Sequence, residues 1–109
     1  MLIKDINQLE EIKMIHAGDQ DKQMEGAYIG DLLSIVMSKA EENQLWLTVQ
    51  AHLNALAVAT LVDMAGILFV EGTQVDDATL ERAKELNLPL YTTHLSAYEA
   101  VKKLIALGI

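Results

Sequence analysis

Three histidines, His16, His52 and His94, each stand just past a short apolar run, and imidazole is the side chain best suited to acid–base and metal chemistry near neutral pH. Three imidazoles could hold zinc or iron with one coordination position open. No two of them are one helical turn apart, however, which is the local spacing that makes such a motif specific, so no metal is expected. His52 or His94 could serve as a general acid or base. Against that, no serine sits in an elbow motif and no carboxylate pair has a recognised spacing. The sequence has no cysteine, which removes thiol nucleophiles, disulfides and cysteine-ligated metals. Neither a P-loop nor the dinucleotide glycine fingerprint occurs; "GDLLS" and "EGTQV" are single-glycine turns. A kinase or ATPase built on those motifs is excluded, and no cofactor is expected.

Binding chemistry is better represented than catalysis. In "TVQAHLNALAVAT", residues 48 to 60, a polar cluster of Gln50, His52 and Asn54 separates an apolar run from a helix-like segment. Asn54 reads as the N-cap, with the remaining amides and the positive end of the helix facing a small anion such as a nucleotide. Thr93, His94 and Ser96 belong to a second strand-to-helix junction, and Gly30 and Asp31 to a third. These eight residues form the candidate ligand site. The competing account is that they only cap helices and close turns.

The elements that must position them alternate in the second half. "LWLTV" (45 to 49), "GILFVEG" (66 to 72) and "LPLYTT" (88 to 93) read as buried strands. Between and after them come helices at 54 to 65, at 76 to 87 with Asp76 as N-cap, and from Ser96, whose capping-box partner is Glu99, to Gly108. That alternation predicts a parallel sheet covered by helices. The first half predicts a short helix in "LIKDINQLEE", strands at 12 to 18 and 24 to 30, and a helix from near Asp31. The strand order of this half is open. If all strands run parallel, the three histidines, with Gly18, Asp19, Glu71, Gly72 and Thr92, lie at one carboxyl edge, where open sheets bind ligands. The polar segment "GDQDKQMEG" is expected to be a mobile loop.

A chain of 109 residues, 51% hydrophobic and 22% charged, fits a single globular domain with one core. The acidic N-terminus is unlike a signal peptide and no apolar run spans a membrane, so a cytoplasmic location without membrane contact is expected. A formal charge of −8, with no basic run, argues against nucleic acid as a partner. The 54 to 65 helix is apolar nearly all round, so its second side needs cover. Ala55, Val58 and Val62 are therefore candidates for a homodimer contact, the rival cover being the rest of the same fold.

Residues 26 to 100 resemble a DRTGG domain. The resemblance is carried by the "GDLLS" turn and helix, the "W-x-T-x-Q-x-H-x-N-x-x-A-V-A" segment, the strand "GILFVEG" and the ending "P-L-x-T-x-x-L-S". The string that names the family is absent, and "TVQAHLN" stands in its place. The resemblance implies a three-layer α/β/α single domain with a mostly parallel sheet of about five strands, similar to the N-terminal domains of HPr kinase/phosphorylase and some Mur ligases. It also implies regulation and self-association, as in domains that accompany CBS domains in regulated pyrophosphatases, and it supplies no catalytic residues. The resulting expectation is a non-enzymatic regulatory homodimer sensing a small anionic ligand. The alternatives are a small enzyme using His52 or His94, and a pure protein-interaction subunit.

Overall fold

The computed structural model describes all 109 residues. After a 3-10 helix, Ile3–Gln8, the chain forms β1 (Ile12–His16), β2 (Ala27–Ile29), α1 (Leu33–Lys39), β3 (Leu45–Thr48), α2 (Leu53–Val62), β4 (Gly66–Phe69), α3 (Asp77–Leu86), β5 (Leu90–Thr93) and α4 (Ala97–Leu107). The five strands make one sheet in the order β1-β5-β4-β3-β2. Strands β2 to β5 are parallel, and β1 lies antiparallel to β5.

Strand alternation divides the core into two halves. Leu45, Leu47, Leu68 and Tyr91 face α4 and the 3-10 helix, packing on Ala100, Leu104, Ile3 and Ile6. Trp46, Ile67, Phe69 and Leu90 face the other way, with Val36 of α1, Leu56 and Ala59 of α2, and Ala83 of α3. Both faces of β3 and β4 are therefore buried, which is why these strands read as unbroken apolar runs rather than alternating ones. The architecture is the expected three-layer α/β/α fold with a mostly parallel five-stranded sheet. No helix is long and apolar enough to cross a membrane.

Three expectations change. Because β1 is antiparallel, its carboxyl end pairs with the start of β5, His16 opposite Leu90, so His16 and Gly18 lie at the opposite edge from His52 and His94. There His16 Nδ1 is 2.9 Å from the Leu88 carbonyl oxygen. The 18 to 26 segment is anchored rather than loose. Gln20 hydrogen-bonds the Tyr91 hydroxyl at 3.0 Å, the Ile3 amide donates to the Lys22 carbonyl at 2.9 Å, and Met24 is buried. The third change concerns α2, which occupies 53 to 62 and stops where Asp63 turns left-handed. Ala55 and Val58 of this helix are buried within the chain's own second core half, and Val62 packs against its margin. Ala55 and Val58 are thus largely covered by the fold itself.

Candidate functional site

The carboxyl ends of β2 and β3 are tied by one carboxylate. Asp31 Oδ1 accepts hydrogen bonds from the Thr48 hydroxyl at 2.8 Å and from the Val49 amide at 2.9 Å, while Trp46 Nε1 donates to the Gly30 carbonyl at 2.8 Å. Gln50 joins the cluster, its side-chain amide donating to the Asp31 carbonyl at 2.9 Å. That bond fixes the amide orientation, so Gln50 Oε1 faces His52 Nε2 at 2.8 Å and the imidazole carries its proton there. Asp31, Gln50 and His52 are thus engaged with one another and with Thr48 and Val49, and Gly30 with Trp46, fastening two loops together. His52, not Asn54, is the N-cap of α2, and its ring makes no capping bond. Asn54 lies instead in a groove between α1 and α2 with Ser34, Met37 and Ala57.

Thr93, His94 and Ser96 divide in the same way. Ser96 caps α4, accepting from the Glu99 amide at 3.2 Å in a reciprocal capping box. Its amide in return hydrogen-bonds the Glu99 carboxylate, and with the hydroxyl holds that group's pKa below its ordinary value. His94 and Thr93 line a groove of about 750 Å3, a size typical of small-molecule sites. Topology explains why a groove opens here. The chain leaves β4 toward α3 on one face of the sheet and leaves β5 toward α4 on the other, so the two connections diverge and leave a crevice between them. The crevice is the switch point of the sheet.

Its walls come from both loops. Val70 to Thr73 form a tight turn closed by the Thr73 amide to the Val70 carbonyl at 3.2 Å, with Glu71 and Gly72 at φ 61° and 68°. A left-handed non-glycine residue such as Glu71 is uncommon and costs about 1 kcal/mol or more. The turn is pinned to β5 by the Gly72 amide donating to the Thr93 carbonyl at 2.9 Å. Gly72 lies so close to the imidazole that a Cβ there would stand 3.2 Å from His94 Nδ1. Ile15, Val75 and Leu80 supply apolar lining, and Thr73, Gln74 and Thr92 polar lining. Glu10, Glu11 and Lys13 also line the groove, since antiparallel β1 brings its amino end to this edge. Lys103 sits 2.9 Å from Glu11 and lowers the pKa of that carboxyl. The Lys13 ammonium makes no ion pair within the chain, and the His94 ring makes no hydrogen bond.

Of the eight residues expected to form one site, the structure places only Thr93 and His94 in this groove. Sequence reasoning missed Glu10, Glu11, Lys13, Thr73 and Leu80. One signal could have found the first three: the ten residues from 17 to 26 show no helical pattern and are too short for a parallel crossover. That makes β1 antiparallel or remote from β2. As catalytic groups, neither His52 nor His94 has a carboxylate hydrogen-bonded to its ring to orient it, the arrangement a histidine base ordinarily uses.

No family model matches the chain, and no curated protein does. Among solved structures, it is similar to the CBS and DRTGG domains of the regulatory region of Clostridium perfringens pyrophosphatase, complexed with the activator diadenosine tetraphosphate. The TM-score is 0.73 at 11% identity, over 95% of this chain and 45% of that one, so this chain spans less than half of its neighbour's length. What is shared is the fold: the α/β architecture of this chain is similar to that of this DRTGG-containing regulatory region.

Proposed function

We propose that this chain is a regulatory, non-catalytic module that acts as a homodimer and binds a small molecule of nucleoside or nucleotide size in the groove between the ends of β4 and β5. The observation that carries the ligand reading is the coincidence of a groove of about 750 Å3 with the sheet's switch point. The fold it shares with a pyrophosphatase regulatory region that was solved with a nucleotide activator supports the regulatory class. Within the groove, Ile15, Val75 and Leu80 suit a ring system, while Lys13 and His94 offer the polar contacts. Glu10 and Glu11 at the same groove, on a chain of charge −8, oppose a highly charged polyphosphate. A nucleoside or a monophosphate therefore fits better than a triphosphate. Amide chemical shifts recorded with adenosine, AMP and ATP test this reading. Shifts clustered at Thr73 to Val75 and Thr92 to Leu95, weakened in His94→Ala, are the expected result. Shifts confined to the Asp31 and His52 loops, or none with any compound, would refute it.

A further inference from the structure

The ligand groove continues past Leu80. A second recess, of about 390 Å3, is lined by Ile15, His16, Asp77, Leu80, Glu81 and Lys84, and two of these, Ile15 and Leu80, are walls of the ligand groove as well. The topology accounts for the continuity. Helix α3 is the crossover between β4 and β5 and packs on their face of the sheet through Ala83. Strand β1, added beyond β5, has no crossover helix of its own on that face, so a trough is left between β1 and the flank of α3. It follows β1 from Lys13 to His16 and α3 from Asp77 to Lys84, a rise of about 10 Å along the helix.

The far end of the trough is rich in acceptors. His16 Nδ1 lies 2.9 Å from the Leu88 carbonyl oxygen, which can only accept, so the proton of the neutral ring sits on Nδ1 and Nε2 keeps its lone pair. Asp77 is exposed, and its carboxylate makes no ion pair within the chain. The Lys84 ammonium is taken up by Glu81 at 2.9 Å. One carboxylate and one imidazole nitrogen are therefore left without a donor.

From this arrangement we infer that the trough is one site for an elongated, amine-bearing nucleoside: the ring system lies between Thr73 and His94, an aliphatic chain crosses Ile15 and Leu80, and a terminal primary amine is held by Asp77 and His16. An ammonium carries three donors and no acceptor, which matches what the far recess lacks. A phosphate in the same place would face Asp77 and Glu81. The charge of −8 on the chain adds to that preference for a cation. The inference rests on the nucleoside reading of the ligand groove and deepens it by naming the rest of the molecule.

Three compounds test this by calorimetry and amide chemical shifts: adenosine, adenosine with a hexyl chain on its 5′ oxygen, and that second compound with an amine at the end of the chain. The amine compound should bind about tenfold tighter than the hexyl one, a charge-assisted hydrogen bond being the only difference between them. Its shifts should pass Leu80 and reach His16 and Lys84. The preference for the amine should disappear in Asp77→Asn, a change at an exposed position that leaves the fold intact, checked by the emission of buried Trp46. It should disappear also in His16→Asn, whose side-chain amide keeps a donor for the Leu88 carbonyl and removes Nε2. Equal binding of the hexyl and amine compounds would overturn the inference, and so would a preference that persists in both variants through general attraction to the acidic chain. Adenosine binding in either case would leave the nucleoside reading standing. Failure of all three compounds to bind would overturn both.

Discussion

Asp31 carries more of the edge than its exposure suggests. Its side chain holds the otherwise buried Thr48 hydroxyl and the Val49 amide, and both donors lose their partner when it is removed. Asp31→Ala should therefore lower stability by about 1–3 kcal/mol, read from urea midpoints with Trp46 as the reporter. An unchanged midpoint would mean that water replaces the carboxylate freely. Gly18 is constrained for a different reason. At φ 53° it packs against the chain before β5, where an added Cβ would stand 2.4 Å from Pro89 N and 2.6 Å from the Leu88 carbonyl carbon. Backbone cannot rotate away as a side chain can, so Gly18→Ala should cost upwards of about 4 kcal/mol and yield little folded protein. Neither role is visible in the sequence, where both residues look like members of a turn. The polar types of the candidate site were legible. Their partition was not, because the hydrogen bonds that hold Gly30 and Asp31 to Trp46, Thr48, Val49 and Gln50 join loops whose residues stand 16 to 19 positions apart.

At the scale of elements, what repeats locally was legible and what pairs at a distance was not. The alternation of apolar runs and helical segments from 45 to 107 gives β3, α2, β4, α3, β5 and α4 in order, with the Asp76 and Ser96 caps where the structure has them. The direction of β1 is a long-range property, decided by which edge of the sheet is vacant once three crossovers have filled the other strands. The same distinction predicts dynamics. Strands β3 and β4 are buried at every residue and have neighbours on both sides, while β1 and β2 are edges. Native-state hydrogen exchange should find the slowest amides at Leu45–Thr48 and Gly66–Phe69, and markedly faster exchange in Ala27–Ile29. Equal protection of β2 and β3 would show that the β2 edge is covered in solution, which an interface extending from α1 onto β2 would produce.

At the scale of the whole molecule, sixteen acids against eight bases make stability depend on pH in two opposing ways. Between pH 7 and about 5 few carboxylates titrate, so the mutual repulsion of the acids persists, and added salt should raise the melting temperature by screening it. Below that range protonation relieves repulsion but also removes specific bonds. Asp76 is held below its ordinary 3.8 by the Thr79 amide, and Glu99 below 4.5 by Ser96. Glu11 is held below 4.5 by Lys103. Each of these folded-state values is depressed, so the stability each group contributes is fully present above the unfolded value and is lost as pH falls through the folded one. The acid limb of a melting-temperature profile should therefore begin near pH 4.5 and deepen below it. In Asp76→Asn with Glu99→Gln, two of the three groups no longer titrate. That variant should melt lower than the wild type at pH 7, yet lose less on acidification, so that the two profiles draw together as the pH falls. Parallel profiles would assign the acid limb to the general charge balance, and the helix caps would then have no part in it.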